Sequence, residues 1–229
     1  MNALRLFAVV QAGAGAPAHR GASGETLRLV ACGEIAAIVG EAADVSVSAE
    51  ALQRHDETVR RLAVELDPLL PARFGETAPD EAALVRALAP RAAELAEALA
   101  RVAGCVQMTL RVFGESTESP APALAEALDE PLAGPGTRYL LQRRLDAERA
   151  RSLPEIAELR AALAPLLRAE RVERHAAGRL LATAYDLVAR GDAPRYAELV
   201  RSAAARADGP RVALSGPWPP YAFAPEVRP

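Results

Sequence analysis

The sequence predicts an α+β protein built from two domains. Short apolar runs with the composition of strands are interspersed with longer segments in which apolar residues recur every three or four positions, as on one face of a helix. The predicted order of elements changes at Gly104: three strands and two helices come before it, and a new strand follows it. A chain of 229 residues is long enough for two small domains. We therefore predict an N-terminal domain over residues 1–103 and a C-terminal domain over residues 104–229.

The N-terminal domain is predicted to begin with three strands and a helix. Ser48 can cap this helix, which is predicted to end near Leu66. The strands are LRLFAVVQ at 4–11, TLRLVACG at 26–33 and IAAIVGEA at 35–42. The helix buries a predicted stripe of Leu52, His55, Val59, Leu62 and Leu66.

A second helix is predicted to complete this domain. It begins at Thr77, a capping residue followed three positions later by the acid Asp80, and continues to about Val102. Pro90 lies inside it and is expected to kink it. Between the two helices, DPLLPARFG at 67–75 is predicted to be extended. The stripe of the second helix consists of Leu84, Leu88, Leu95, Leu99 and Val102.

The C-terminal domain is predicted to follow a βαββαβ order. This order is that of ferredoxin-like domains, in which two helices pack on one face of a four-stranded antiparallel sheet. A loop with a short helix at 121–128 follows the first strand. The predicted elements are the strand CVQMTLRVF at 105–113 with alternating sides, a helical region from about Arg138 to Ala169 interrupted by a capping box at Ser152–Glu155, a hairpin turning at Gly178, a helix capped by Asp192, and the strand RVALSG at 211–216.

Composition and charge argue against several classes of protein. The net charge of −3 lacks the basic surplus of a nucleic-acid-binding protein. No apolar stretch is long enough to cross a membrane and no secretory signal is evident, so we expect a cytoplasmic protein. Cys32 and Cys105 lie far apart in apolar surroundings, which favours buried free thiols over a disulfide or a metal site.

Candidate catalytic residues do not form a site in the sequence. His55 and Asp56 are adjacent on a predicted helix and point in different directions, so they cannot act together as a base and its orienting acid. A partly buried His55 and an ion pair between Asp56 and Arg60 are favoured instead. Ser215 lacks the nucleophile elbow of serine hydrolases, and no two histidines share a metal-ligand spacing. We predict no catalytic residue, no metal and no cofactor.

The C-terminal run LSGPWPPYAFAP at 214–225 concentrates four prolines and the only tryptophan. In a polyproline II helix three residues make a turn, so Trp218 and Tyr221 would share one side while Phe223 points elsewhere. Two interpretations stay open. The tail anchors on its own chain, or it forms a docking strip for a partner, where Trp and Tyr commonly carry the binding energy.

Three stretches together resemble the gas vesicle protein F/L family (GvpF and GvpL). They are RHDETVRRLAVELDPLLPARFGE at 54–76, GPGTRYLLQRR at 134–144 and SGPWPPYAF at 215–223, and the resemblance extends over essentially the whole chain. The chain departs from the family pattern at three places. The first strand is not tyrosine-rich, Glu76 replaces a threonine after the Arg-Phe-Gly motif, and Gln107 stands where an acidic residue is common.

The resemblance implies a two-domain α+β protein whose C-terminal half is a modified ferredoxin-like domain. It also implies a non-enzymatic role as a gas vesicle assembly or structural protein in the cytoplasm and at the gas vesicle. Such a protein would bind the major shell protein GvpA and other accessory proteins, and would help nucleation or prevent aggregation. The expected contact residues, which would alternatively clamp the two domains together, are Arg73, Phe74, Gly75, Trp218, Tyr221 and Phe223.

Two other functions remain open from the sequence. A small-molecule enzyme on a ferredoxin-like scaffold would use Arg73 to bind an anion or His55 as a base, although a fold does not by itself give a function. A regulatory module would pair its ferredoxin-like domain edge to edge with a partner.

Overall fold

The computed structural model describes residues 3–41, 47–114, 156–175, 178–206 and 211–226. These residues form two compact units. The first unit comprises the described residues up to Gln107, the segment Leu187–Arg190 and the residues from Pro217 onward. The second comprises the described residues from Met108 to Asp186 and from Gly191 to Gly216. This division differs from the expected 1–103 and 104–229, because the C-terminal tail packs on the first unit.

The first unit is built on a five-stranded antiparallel sheet. Its strands are β1 (Leu4–Gln11), β2 (Leu27–Cys32), β3 (Ile35–Glu41), β4 (Leu69–Pro71) and β5 (Thr77–Ala78). The order is β2-β3-β1-β4, with β5 also paired to β1. Seven of the eight residues of β1 are buried, as expected for a central strand covered on both faces. The three strands predicted before the first helix are confirmed.

Three helices complete the first unit. They are α1 (Ala49–Glu65), α2 (Glu81–Leu88) and α3 (Ala92–Val102). Ser48 caps α1 as predicted, because its hydroxyl accepts a hydrogen bond of 3.1 Å from the Ala51 amide. Pro90 lies in the 3₁₀ turn Ala89–Arg91 that separates α2 from α3. The predicted stripe from Leu84 to Val102 is buried at all five positions.

Two details of these helices differ from the predictions. Leu52 is 51% exposed, and the buried face of α1 is formed by His55, Thr58, Val59 and Leu62. Periodicity identifies a helix face, but not how far along the helix the packing partner extends. Thr77 belongs to strand β5, paired with Arg5, and Asp80 caps α2 by accepting from the Ala83 amide at 2.7 Å. The helix cannot begin before Pro79, because a residue that precedes proline is restricted to extended backbone.

The second sheet has the topology of a ferredoxin-like domain. Its elements in chain order are β6 (Cys105–Phe113), α4 (Ala157–Leu163), β7 (Leu167–Arg174), β8 (Leu180–Ala189), α5 (Ala193–Ala204) and β9 (Val212–Trp218). The spatial order β7-β8-β6-β9 places the first and third of these strands in the centre. The predicted α+β class with a ferredoxin-like second half is therefore confirmed.

Several boundaries in this half differ from the predictions. The helix expected to reach Ala169 ends at Leu163, because Pro165 falls in the 3₁₀ turn Ala164–Leu166, and β7 begins at Leu167. In β6 the first six residues are all buried, so the predicted alternation of buried and exposed side chains is seen only in its last three residues. Asp192 stands at the cap position of α5 without a side-chain hydrogen bond. The predicted helix at 121–128, the helical region before 156 and the capping box Ser152–Glu155 lie outside the described residues.

A buried acid lies in the second unit. Asp186 on β8 is 2% exposed, and one of its carboxylate oxygens accepts a hydrogen bond of 2.5 Å from the hydroxyl of the equally enclosed Tyr196 on α5. Arg160 of α4 and Glu170 of β7 form an ion pair that acts electrostatically on this carboxylate. Burial raises the pKa of Asp186 to about 6, while the Tyr196 hydrogen bond opposes the shift.

We predict that Asp186 makes the stability of the protein depend on pH. Its pKa rises from about 3.9 in an unfolded chain to about 6 on folding, so the folded state binds more protons between these values. The free energy of unfolding should therefore fall by up to about 3 kcal/mol as the pH rises from about 4 to about 6. Asp186→Asn cannot ionise and should remove this fall in urea titrations, whereas Tyr196→Phe should extend it to higher pH. An unchanged pH profile in Asp186→Asn would contradict the assignment.

Candidate functional site

The C-terminal tail packs on the first unit in a turn conformation. Strand β9 continues to Trp218, and a 3₁₀ turn follows at Tyr221–Phe223. The amides of Phe223 and Ala224 both donate to the carbonyl oxygen of Pro220 at 3.1 Å. A polyproline II helix has no internal hydrogen bonds, so the polyproline II conformation predicted for this segment is wrong.

A chain of polar contacts joins the tail aromatics to helix α1. The guanidinium of Arg60 lies over the Trp218 ring, 4.2 Å from its centroid, in a cation–π contact. Arg60 also pairs with Asp56 at 2.5 Å, which confirms the ion pair predicted from their spacing. The Tyr221 hydroxyl donates a long hydrogen bond of 3.5 Å to the other oxygen of Asp56. Burial, with the Asp56 charge, raises the pKa of Tyr221, so the hydroxyl remains a donor.

Gln107 holds the main chain of the tail. Its side chain is 5% exposed, and its Oε1 atom accepts a hydrogen bond of 2.8 Å from the Ala222 amide. An unpaired amide in this position would cost about 1–3 kcal/mol. In the sequence, Gln107 stands out only as a departure from the family pattern. The available signal for this role was a long polar side chain between the apolar residues Val106 and Met108 of the strand.

The Arg-Phe-Gly motif forms a tight turn after β4. The Glu76 amide donates to the Arg73 carbonyl oxygen at 3.4 Å, and Gly75 has φ = +92°, a backbone conformation that favours glycine. Arg73 pairs with Glu226 of the tail at 2.8 Å, and Arg91 donates to the Glu226 carbonyl oxygen. The structure thus brings Arg73 together with the end of the tail. No sequence signal pointed to Arg91 or Glu226.

His55 is enclosed beneath this turn. It is 2% exposed, stacks on Phe7 with ring centroids 5.2 Å apart, and contacts Phe74 edge-on at 5.7 Å. Its Nε2 atom donates to the Ala72 carbonyl oxygen at 3.0 Å. Burial lowers the pKa of His55, so the ring is neutral at pH 7. His55 is therefore a packing residue that supports Phe74, more deeply buried than the sequence analysis expected.

Neither a group of metal ligands nor a membrane-spanning helix is found among the described residues. Within them, no three His, Cys, Asp or Glu side chains are grouped as metal ligands. No helix in this part of the chain combines the length and the apolar character needed to span a membrane. Cys32 and Cys105 are buried thiols that form no disulfide, and burial raises the pKa of the Cys32 thiol.

We predict that the Asp56 charge holds Arg60 over Trp218. Asp56→Asn keeps an oxygen for Tyr221 but removes the ion pair, so Arg60 should leave the ring more often. Acrylamide should then quench the fluorescence of Trp218, the only tryptophan, more strongly. The melting temperature should fall by no more than about 4 °C, because a partly exposed pair contributes at most about 1 kcal/mol.

Glu57→Gln is the matched control for this experiment, because it breaks the neighbouring pair between Glu57 and Arg61 on the same helix. Quenching in this variant should equal that of the wild type. Equal quenching in Asp56→Asn and Glu57→Gln would show that Asp56 does not position Arg60.

Known proteins resemble this chain over nearly its whole length. The family model described as "Gas vesicle synthesis protein GvpL/GvpF" matches residues 3–225. Gas vesicle protein L2 of Halobacterium salinarum is 29% identical, with an alignment that covers 90% of this chain and 84% of that protein. Gas vesicle protein L of a Streptomyces species is also 29% identical, over 89% of this chain and 85% of its own length.

Solved structures have the same fold. The crystal structure of GvpF from Anabaena sp. superposes with a TM-score of 0.72 at 17% identity, covering 98% of this chain and 99% of that one. The crystal structure of GvpF from Microcystis aeruginosa gives a TM-score of 0.73 at 16% identity, covering 98% and 100%. Because the family model spans nearly the whole sequence, this chain belongs to the gas vesicle GvpL/GvpF family.

Proposed function

We propose that this protein assists gas vesicle formation by binding the major shell protein GvpA, helping its nucleation or preventing its aggregation before assembly. The observation that carries the proposal is the family match over residues 3–225. Shell subunits expose apolar surfaces and strand edges before they assemble, and such surfaces aggregate unless they are covered. A binding protein in the cytoplasm and at the gas vesicle, in contact also with other accessory proteins, would cover them.

In this proposal the protein works through protein contacts rather than catalysis. The enclosure of His55 supports this view, because a side chain that is 2% exposed and bound to the Ala72 carbonyl cannot reach a substrate. Arg73, the other residue considered for an enzyme, is already paired with Glu226. The description of the family to which the chain belongs refers to gas vesicle synthesis and names no catalysed reaction.

The proposed contact surface joins the Arg-Phe-Gly turn to the tail. It consists of Arg73, Phe74, Gly75, Trp218, Tyr221 and Phe223. The ion pair between Arg73 and Glu226 supports this grouping, because it connects the turn with the tail. Trp218 and Phe223 are half-buried and retain ring surface for a partner, and aromatic residues of this kind commonly dominate binding energies. Phe74 and Tyr221 contact His55 and Asp56, so they hold the surface in shape.

We predict that Trp218 is required for capture of the shell protein. In a co-expression pull-down, wild-type protein should retain GvpA in soluble form, and Trp218→Ala should retain at least about tenfold less, as expected for loss of a binding hot spot. The cation–π contact with Arg60 contributes roughly 0.5–2 kcal/mol, so the variant should stay folded. Phe113→Ala serves as the matched control, because Phe113 is an exposed aromatic of the second unit.

Thermal melts accompany each pull-down. Lost capture by a folded Trp218→Ala protein, with normal capture by Phe113→Ala, would support the proposed surface. Lost capture together with a much lower melting temperature of Trp218→Ala would show that the tail is needed for folding rather than for binding. A wild-type protein that captures no shell protein would refute the proposed function.

A further inference from the structure

The end of helix α1 and the tail border a groove in the first unit. Its volume is about 230 Å³, and we call it the tail groove. Its lining includes Ala63, Val64 and Leu66 at the end of α1 and Pro217–Pro220 of the tail. The buried residues Leu69, Val102 and Val106 also line it. All lining residues belong to the first unit, so the groove is a feature of that unit alone.

The tail groove is lined mainly by apolar side chains, and the exposed Val64 is one of them. The side chain of Val64 is 83% exposed at the edge of the groove. The volume is below the roughly 300–1,000 Å³ of sites for drug-sized ligands and cofactors, which suits one or two apolar side chains of a partner. An apolar cavity beside an exposed apolar residue is the arrangement expected of a docking site for such side chains.

Charged groups at the groove differ in whether they are already paired. Arg60 is bound to Asp56 and stacked on Trp218. Both oxygens of Asp67 accept from the Gly104 amide, at 3.2 and 2.9 Å. Arg190 is exposed and its guanidinium donates one long hydrogen bond of 3.4 Å to the Ala63 carbonyl, and no ion pair formed among the described residues includes it. The groove therefore offers a guanidinium without a carboxylate partner among those residues.

We propose that the tail groove binds a segment of a partner protein in which apolar side chains are followed by a carboxylate. The apolar side chains enter between α1 and Trp218, and the carboxylate pairs with Arg190, whose planar guanidinium suits a carboxylate. This inference rests on the proposed function, because it requires a protein partner. It adds the chemistry of the partner segment that the groove recognises.

The position of Trp218 permits a direct test. It is the only tryptophan in the chain and lines the groove, so its emission reports occupancy. The probes are the peptides acetyl-Leu-Leu-Glu-amide and acetyl-Leu-Leu-Gln-amide, each titrated to about 10 mM into the full-length protein. The Glu peptide should shift the emission saturably to the blue and bind about fivefold more tightly than the Gln peptide, as expected for one partly exposed ion pair.

Substitutions on the groove then test each contact. Arg190→Gln should give the two peptides equal affinity. Val64→Glu should weaken the Glu peptide, because it places a carboxylate at the groove near Arg190. Leu52→Glu is the matched control, since Leu52 is also an exposed apolar residue of α1 but lies about 18 Å away along the helix. This control should bind both peptides as the wild type does.

The outcomes separate this inference from the proposed function. The absence of any emission change with either peptide would overturn the groove as a docking site, even where the wild-type protein captures shell protein. Equal affinity of the two peptides for the wild type, or a retained preference in Arg190→Gln, would overturn the role of Arg190. A preference for the Glu peptide that only Arg190→Gln and Val64→Glu reduce would support the inference, whatever the pull-down shows.

Discussion

The hydrogen bond from the Ala222 amide to the buried Gln107 side chain is the constraint on which the candidate site depends. A main-chain amide that packs on an apolar core must find an acceptor, and Gln107 supplies it from within strand β6. This contact brings Tyr221 against the core cluster that contains Phe7, Val59 and Leu62. With Tyr221 in place, the preceding residues of the tail lie beside α1. The position of Trp218 over Arg60 and the existence of the tail groove follow from that attachment.

Each of the two units contains a buried polar side chain that is hydrogen-bonded within that unit. His55 gives its one N–H to the Ala72 carbonyl, and Asp186 accepts from Tyr196. Both residues carry shifted pKa values whose main cause is removal from water. In His55 this keeps the ring neutral between two phenylalanines, and in Asp186 it favours the protonated acid. Neither group reaches the surface, and each is hydrogen-bonded to a neighbour within its own unit.

The structure also brings together two of the segments that carry the family resemblance in the sequence. Arg73 of the Arg-Phe-Gly turn and Glu226 of the tail are 153 residues apart in the chain, yet they meet in an ion pair. The turn needs Gly75 for its backbone conformation and Phe74 for its contact with His55. Tail anchoring and partner docking are therefore compatible, because the contacts that fix the tail leave Trp218 half-buried among the residues that line the groove. Membership of the gas vesicle family gives this surface its biological setting.

Much of the fold could be predicted from local patterns. The limits of β1 and β6, the Ser48 cap, the break at Pro90 and the buried leucines from Leu84 to Leu99 all follow from residues close together in the chain. The family resemblance needed only three short stretches. The pairing of Thr77 with Arg5, the exposure of Leu52 and the 3₁₀ turn at Tyr221 could not be predicted, because each is decided by a distant part of the chain. The same holds for Gln107 and Arg190, whose roles exist only because the tail returns to the first unit. Short-range periodicity determines which residues form elements, whereas long-range packing decides which of their surfaces remain available to bind.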